Sequence, residues 1–217
     1  MSFGLSRGRE QDFDGFGLLR DDLPPIGDGP WDPRTLFEQP DRRFELEIGS
    51  GKGTFLIQQS GLQPETNFLG IEWAGEFFRY AADRIRRHAM TNVRMLHDDA
   101  SEVVSHRIPE GCCSVVHLYF SDPWPKSRHH KRRVMQDGTM RAFHRVISPG
   151  GELRLVTDHD DLWAWYEEHA ARHADLFDRE AFERPESAGE GEVVGTNFER
   201  KFRREGRPFH AMTLRRR

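Results

Sequence analysis

The pattern of hydrophobic and polar residues along the chain alternates between the period of strands and that of helices. Short apolar or alternating runs typical of strands occupy five stretches: residues 44–48, 67–71, 93–96, 115–120 and 152–156. Longer segments with helical spacing lie between or after them: residues 54–60, 74–90, 101–106, 134–147 and 162–174. Residues 176–184 and 208–214 are predicted to complete the sheet as an antiparallel pair. This order predicts an α/β fold, with helices on both faces of a mostly parallel sheet of seven strands.

The first forty residues lack this periodicity and contain scattered glycine and proline. We predict a mobile acidic arm over residues 1–40, with one short element near 35–37, and a single domain over residues 41–217. The chain of 217 residues is long enough for a sizeable core, and it contains no internal repeat.

The net charge of -4 conceals an uneven distribution of charge. Acids dominate the arm, whereas residues 126–133 and 200–217 are strongly basic. Because screening confines each patch to its own neighbourhood, such a chain can bind a polyanion despite its negative total. The two cysteines, Cys112 and Cys113, are adjacent and offer neither a disulfide framework nor a metal knuckle. With no membrane-spanning segment or signal peptide in the sequence, we expect a cytoplasmic protein that does not associate with membranes.

A glycine-rich turn follows the first predicted strand, with the sequence Gly49-Ser50-Gly51-Lys52-Gly53. Strand, glycine turn and helix form the opening unit of a nucleotide-binding sheet, and Gly49 and Gly51 allow the backbone to approach a ligand closely. The spacing differs from the Gly-x-Gly-x-x-Gly of dinucleotide folds. Glu47, just before the turn, is unfavourable against a pyrophosphate but suits S-adenosylmethionine, which carries an ammonium and a sulfonium.

Further acids follow the next two strands. Glu72, about twenty residues after the glycine turn, is placed to accept from ribose hydroxyls. Asp99 follows the third strand and suits the adenine amino group or its neighbourhood. Each acid alone is equally consistent with a cap at a strand end, but three acids in phase after successive strands predict a methyltransferase cofactor site.

The fourth strand leads into a turn that combines an acid, an aromatic ring and a cationic cluster. Asp122 lies just past the strand, at the edge where open α/β sheets bind ligands. Pro123 and Pro125 restrict the turn, and Trp124 between them offers a flat face on which a base can stack. Basic residues without an acid among them follow: Lys126, Arg128, Lys131, Arg132 and Arg133. Alone, such a run is most often a solvated face; after a central strand it predicts binding to nucleic-acid phosphates, and the last four are assigned to the RNA backbone.

These motifs together resemble the tRNA (guanine-N7-)-methyltransferases over about residues 36–214. The resemblance rests on the glycine turn with Glu47, on Gly70-Ile71-Glu72, on Asp99-Ala100, on Asp122-Pro123-Trp124-Pro125-Lys126 with its basic continuation, on Thr157-Asp158 and on Thr196-Asn197-Phe198-Glu199. The Asp-Pro-Trp-Pro-Lys stretch is highly specific, whereas the glycine turn is common to many methyltransferases. Ser121 stands where the family often has Pro, and Asn197 where it often has Lys.

The resemblance implies a Rossmann-like class I methyltransferase fold and S-adenosylmethionine as cofactor. It implies that Glu47, Glu72, Asp99 and Asp122 contact the cofactor, with Asp122 also the catalytic residue. Six residues would bind the substrate: Lys126, Asp158, Thr196, Asn197, Phe198 and Glu199. The partner would be tRNA, methylated at the variable-loop guanine by a monomer or homodimer, since the sequence indicates no partner subunit.

Three other functions fit parts of the pattern. A methyltransferase for an exocyclic base amine also ends its fourth strand with an acid or amide and a proline, although a second proline normally precedes the aromatic residue. A dinucleotide oxidoreductase and a non-catalytic RNA-binding relative are the other two. His169 and His173 are four residues apart on a predicted helix but have no third ligand, so we predict no metal site.

Overall fold

The computed structural model describes residues 10–217, which form a sheet of eight strands covered by helices. The strands are β1 (Gly17–Leu19), β2 (Arg43–Ile48), β3 (Thr66–Ile71), β4 (Val93–His97), β5 (Cys113–Tyr119), β6 (Ile147–Thr157), β7 (Phe177–Glu180) and β8 (His210–Arg216). Their order across the sheet is β1-β4-β3-β2-β5-β6-β8-β7. All pairs are parallel except those of β8, which runs antiparallel to both of its neighbours. The predicted fold class, mostly parallel with an antiparallel final strand, is confirmed.

Within residues 10–217, six α-helices connect the strands. They are α1 (Thr54–Leu62), α2 (Gly75–Arg87), α3 (Ala100–His106), α4 (Asp137–Val146), α5 (Asp160–Arg172) and α6 (Asn197–Arg204). Two separate clusters of buried apolar side chains pack on the sheet, one centred on residues such as Phe143 and Tyr166, the other on Phe55 and Phe78. The central strands are therefore buried on both faces, as a doubly wound sheet requires. No helix in the described part of the chain is long and apolar enough to cross a membrane.

The sheet has one strand more than the seven predicted from the sequence. The additional strand is β1, which pairs with β4 at the edge of the sheet. It is only three residues long, too short for a periodic signal. Its Gly17 lies against the rings of Phe13 and Phe78, where a Cβ atom would come within 2.9 Å of either ring. The close approach explains why glycine occupies this position.

The predicted arm is attached to the domain over its described part. Besides β1, it is held by Arg107, whose guanidinium donates to the carbonyl oxygen of Pro24 at 2.7 Å. A short 3-10 helix at Pro33–Leu36 overlaps the element expected near residues 35–37. The mobility of the arm and the domain boundary at residue 41 stay predictions, and residues 1–9 lie outside the described part of the chain.

Candidate active site

The four predicted cofactor acids come from four neighbouring strands. Residues Ile48, Ile71 and Leu96 are in register across β2, β3 and β4, and Leu118 of β5 pairs with Ile48. Glu47, Glu72, Asp99 and Asp122 lie at or just beyond these positions. Because the strands are parallel, their carboxyl ends share one edge of the sheet, and the acids line this edge in the strand order β4-β3-β2-β5.

A cavity of about 560 Å³ opens at the middle of this edge. Glu47 and the first four residues of the glycine loop (residues 49–53) form one wall together with Phe55 and Tyr119. The opposite wall comes from the start and one face of α6: Thr196, Asn197, Phe198, Arg200, Lys201 and Arg204. The cavity therefore joins the predicted cofactor loop to the late motif, which is almost 150 residues away in the chain.

The glycine loop is folded back onto the end of β3. The backbone N–H of Gly49 donates to the carbonyl oxygen of Ile71 at 2.8 Å, and that of Gly51 donates to Oε2 of Glu72 at 2.7 Å. Gly51 has a φ of +54°, a conformation that side chains rarely adopt, and the Phe198 ring approaches to 3.2 Å from where a Cβ would lie. Glycine at position 51 is thus required by both backbone and packing.

Glu47 presents a buried carboxyl group, one oxygen of which lacks a partner. The residue is 4% exposed, and its Oε2 atom has no hydrogen bond to any described residue. Burial raises the pKa of this carboxyl to about 8. A buried carboxylate at a cavity wall favours a cationic ligand, which would satisfy the orphaned oxygen. The site therefore fits the ammonium or sulfonium of the predicted cofactor.

Glu72 is engaged by backbone groups on both of its oxygens. Oε1 accepts from the N–H of Ala74 at 2.8 Å, while Oε2 accepts from Gly51. Burial is the main cause that raises the pKa of Glu72, and the negative charge of nearby Asp122 adds to it. Glu72 thus fixes the glycine loop, and each of its oxygens keeps a second lone pair for a ligand hydroxyl.

Asp99 and its neighbour Asp98 have different partners. Asp99 caps α3 by accepting from the N–H of Ser101 at 2.8 Å and does not line the cavity. Asp98, which no sequence motif singles out, is buried and pairs with Arg20 at 3.2 Å. The cap is the expected behaviour of an acid at a helix start and leaves one oxygen of Asp99 free for a ligand.

Asp122 lies in a strained turn and is itself exposed. Phe120 and Trp124, on either side, have φ values of +53° and +42°, which are uncommon for residues other than glycine. Asp122 forms no hydrogen bond or ion pair with the described residues. Strained backbone around a free carboxylate is typical of a functional turn.

The late motif closes the cavity and is held together mainly by Glu199. Thr196 caps α6 by accepting from the N–H of Glu199 at 3.0 Å, and Nδ2 of Asn197 donates to Oγ1 of Thr54 at 2.8 Å. Glu199 is fully buried and accepts from the backbone N–H groups of three preceding residues: Val193, Val194 and Gly195. Asn197 and Phe198 therefore face the glycine loop, whereas Glu199 shapes the segment behind it.

Besides the buried Glu199, two predicted substrate residues, Asp158 and Lys126, lie outside the cavity wall. Asp158 accepts from Arg207 at 2.7 Å, and about one tenth of its side chain is exposed. Lys126 is exposed and forms no ion pair in the described structure. Asp158 thus already has a guanidinium partner where a base is expected to bind.

The basic loop, residues 122–133, contains cations in three different environments. Arg128 and Lys131 are exposed without an ion pair to the described residues, and Arg132 lies over the Trp124 ring, 4.9 Å from its centroid. Arg133 corrects the sequence-based expectation of a contact with the RNA backbone. Only 1% of its side chain is exposed, because it binds Asp161 and the carbonyl oxygen of Pro123. Such a residue anchors the loop and does not present its charge to a phosphate.

Basic residues at the C-terminus also form ion pairs within the protein. Arg215 pairs with Glu152 and Glu180, and Arg217 pairs with Asp178. The sequence cannot distinguish these arginines from exposed cations, since their acidic partners come from other strands. They brace β7 against β8 and the rest of the sheet.

Several residues of the site were missed by sequence reasoning. Arg200, Lys201 and Arg204 line the cavity, although the sequence marks their segment only as basic. Tyr119 also lines it, and its hydroxyl bonds Nδ1 of His117 at 2.7 Å, while Nε2 of His117 bonds Glu45 at 2.8 Å. The signal for this buried network was the alternation of Glu45 and Glu47 with apolar residues in β2.

The two helical histidines considered as metal ligands bind within their own helix. Nδ1 of His169 bonds the carbonyl oxygen of Trp165 at 2.8 Å, and Nδ1 of His173 bonds that of His169 at 3.0 Å. Among the described residues, no group of three or more metal-ligating side chains is present.

The chain is similar in sequence to known methyltransferases. A family model described as a putative methyltransferase matches residues 41–212. A tRNA (guanine-N(7)-)-methyltransferase of Nitrobacter hamburgensis is 40% identical over 71% of this chain and 60% of its own length. One from Agrobacterium fabrum is 33% identical over 92% of this chain and 85% of its own. The match thus spans less than two thirds of the first relative and most of the second.

Among solved structures, the aminoglycoside resistance methyltransferase NpmB1 is similar in fold, with a TM-score of 0.56 and 16% identity. The alignment covers 81% of this chain and 88% of that structure. At this identity the similarity concerns the fold alone. The family model and the relatives go further: the chain belongs to the tRNA (guanine-N7-)-methyltransferase family and has its class I methyltransferase fold.

Proposed function

We propose that this protein transfers a methyl group from S-adenosylmethionine to N7 of a guanine in tRNA, and specifically to the guanine of the variable loop. The observation that carries the proposal is the buried, unpartnered carboxylate oxygen of Glu47 at the wall of the cavity. A cation stabilises a buried carboxylate, and this cofactor has two cationic groups next to each other. The names of the relatives supply the substrate and the position of the methyl group.

The cofactor would lie along the edge formed by the strand-end acids. Glu47 would hold its cationic end, the free lone pairs of Glu72 its ribose hydroxyls, and Asp99 the neighbourhood of its adenine. Gly49 and Gly51 leave room for close backbone approach. When bound, the cofactor supplies an electrophilic methyl group.

Asp122 is proposed as the catalytic residue. Guanine N7 has a lone pair and no hydrogen, so its methylation requires no base to remove a proton. The base gains positive charge as the new bond forms, and a fixed carboxylate nearby stabilises that charge. Asp122 is exposed and unpaired at the edge of the site, as this role demands. Holding N7 in line with the methyl group contributes several kcal/mol more to catalysis.

Guanine recognition is proposed for Asp158. The carboxylate accepts from Arg207 in the structure, and the N1 and N2 hydrogens of guanine are donors of the same kind. A bound guanine would take over this contact and release Arg207. Adenine has no hydrogen at N1, so the same carboxylate would discriminate against it.

The tRNA backbone is proposed to lie along the basic loop and the α6 face of the cavity. Lys126, Arg128 and Lys131 are exposed cations, and Trp124 between the prolines would help to hold the target base once it leaves its tertiary contacts. Thr196, Asn197 and Phe198 would contact the substrate from the opposite wall, with Glu199 fixing their segment. We propose that the protein acts in the cytoplasm as a monomer or homodimer without a partner subunit.

The proposal is tested by incubating unmodified tRNA with the purified protein and a labelled methyl donor, followed by nucleoside analysis. We expect 7-methylguanosine, and mapping of the modified position should locate it in the variable loop. Methyl on an exocyclic amine would overturn the choice of atom. Tight binding of tRNA without any transfer would favour a non-catalytic RNA-binding relative, and binding of NAD in place of S-adenosylmethionine would favour an oxidoreductase.

A further inference from the structure

Asp122 is held from both sides by contacts to its immediate neighbours. Before it, Oγ of Ser121 and the hydroxyl of Tyr166 form a hydrogen bond of 2.8 Å. After it, the carbonyl oxygen of Pro123 accepts from Nε of Arg133 at 2.9 Å. Asp122 itself touches neither partner, so these contacts fix its backbone and leave its carboxylate free.

Arg133 is a buried cation whose partners are few and well defined. Its side chain is 1% exposed, its Nη2 pairs with Asp161, and its guanidinium lies over the Trp165 ring, 5.0 Å from the centroid. Burial of a guanidinium is costly unless it is paired and hydrogen-bonded. This cost is offset only while Pro123 and Asp161 stay in place. Because Asp161 belongs to α5, the position of the basic loop depends on that of α5.

Both anchors lead to α5. Tyr166 and Asp161 belong to this helix, as does Trp165, whose indole N–H donates to the carbonyl oxygen of Met135 at 2.7 Å just after the basic loop. The contact between Pro123 and Arg133 also closes the basic loop into a ring. Its exposed cations are therefore fixed relative to Asp122 by the same contact that fixes Asp122 itself.

The strained backbone explains why anchors are needed. Phe120 and Trp124 both have positive φ, a conformation that is unfavourable for residues with side chains and persists only where the surroundings enforce it. Without the anchors the turn would relax to ordinary φ values. The carboxylate of Asp122 would then move away from the edge of the sheet.

We propose that Arg133 and Tyr166 are positioning residues that, with Asp161, clamp the turn carrying Asp122 onto α5 and so set the rate of methyl transfer. The inference rests on the proposed function for the role of Asp122. It assigns Arg133 to catalysis through geometry, in contrast to its neighbours in the basic loop, which bind RNA.

The test compares Arg133→Lys, Tyr166→Phe and Asp161→Asn with the wild type and with Arg172→Lys. Arg172 lies on the same helix and pairs with Asp137, at 3.2 Å, away from the clamp. For each protein, kcat and KM for tRNA, the affinity for S-adenosylmethionine and the melting temperature are measured. Amide hydrogen exchange over residues 121–133 reports on the turn independently of activity.

We expect kcat to fall about ten- to a hundredfold in Arg133→Lys, and by less in the other two clamp variants, because a small misplacement of a catalytic group is costly. Affinity for the cofactor should stay within about twofold of the wild type. Exchange should accelerate at residues 121–133 and nowhere else. Arg133→Lys combined with Asp161→Asn should cost no more than Arg133→Lys alone, since both variants break one clamp.

Unchanged kcat and unchanged exchange in Tyr166→Phe and Asp161→Asn would overturn the proposal, even if Arg133→Lys failed to fold. The proposal would also be overturned if cofactor affinity and melting temperature fell by the same amount in all variants, including Arg172→Lys, because that result would indicate a general structural role. If the wild type forms no 7-methylguanosine, the proposed function fails, while the exchange data still decide whether the clamp holds the turn.

Discussion

The ring of Phe198 lies directly over Gly51, with its Cε2 atom 3.2 Å from the position that a Cβ atom of residue 51 would occupy. This contact joins the first turn of α6 to the glycine loop, although the two segments are far apart in the sequence. It makes the closure of the cavity sensitive to a single methyl group.

Gly51→Ala should therefore weaken cofactor binding by about tenfold or more, equivalent to at least about 1.4 kcal/mol. The new methyl group displaces Phe198, and the positive φ at residue 51 adds strain of about 1–3 kcal/mol. Calorimetric titration with S-adenosylmethionine measures the effect. The matched control is Gly111→Ala, which has a φ of +65° but no neighbour within 4 Å of the new Cβ. If both variants bind the cofactor equally well, Phe198 does not close the site.

Glu47 should make cofactor binding depend on pH. Burial raises the pKa of the empty site's carboxyl to about 8, so at pH 7 the proton must leave before a cation can bind. Affinity should rise with pH, by up to about tenfold per pH unit, and level off above pH 8. Titrations in two buffers of different ionisation enthalpy would detect the released proton, and Glu47→Gln should abolish both the release and the pH dependence.

In the absence of cofactor, the same carboxyl should make the folding stability of the protein decrease with rising pH, whereas cofactor affinity increases. Between the ordinary pKa of a glutamate and about pH 8, the folded state holds a proton that the unfolded state has lost. The stabilising contribution of Glu47 is complete below that ordinary pKa and is lost as the pH rises through 8. Unfolding measured by denaturant should thus give a free energy that falls with pH in the wild type more steeply than in Glu47→Gln. Parallel curves would contradict this assignment.

Asp122→Asn should reduce methyl transfer by at least about a hundredfold, because it removes the carboxylate charge that we propose stabilises the methylated base. The melting temperature and the affinity for tRNA should remain close to those of the wild type, since Asp122 is exposed and unpaired. Single-turnover measurement at saturating substrates isolates the effect. Asp28→Asn, an exposed acid in the arm, controls for the change of charge; turnover retained in Asp122→Asn would remove this residue from the mechanism.

Neutralising Lys126, Arg128 and Lys131 together should weaken tRNA binding and reduce its dependence on salt by about one unit of slope for each lost phosphate contact. The control removes an equal number of charges at Arg215, Arg216 and Arg217, which pair with acids of β6, β7 and the turn before β5. Filter binding over a range of salt concentrations distinguishes the two triple variants. Equal slopes would mean that the basic loop does not contact the RNA backbone.

Much of this site could be predicted from the sequence because its information is local. An apolar run followed by an acid defines a strand end, and the glycine loop is contiguous with the strand and helix that it joins. Glu47, Glu72, Asp99 and Asp122 could therefore be placed along one edge of the sheet from these local patterns alone. The alternation of strands and helices likewise predicts that the sheet is mostly parallel.

The remaining features depend on contacts between distant segments. Arg132 and Arg133 are adjacent residues of the same type, yet Arg132 is exposed and Arg133 is buried against α5. The helix α6 is mostly charged, with only Phe198 and Phe202 on its apolar side, and it is held by Glu199, which accepts from three backbone N–H groups of the preceding loop. Neither distinction has a local signal, since each is made by residues brought together only in the folded chain.

The position of α6 between β7 and β8 also bears on how the protein matures during synthesis. All four strand-end acids and the basic loop precede residue 196, whereas the second wall of the cavity and the antiparallel strand β8 come from roughly the last tenth of the chain. A nascent chain that has not yet reached α6 therefore carries the acids without an enclosed pocket. If the cavity holds the methyl donor as proposed, the nascent chain can retain it only after these late residues have emerged and β8 has joined the sheet.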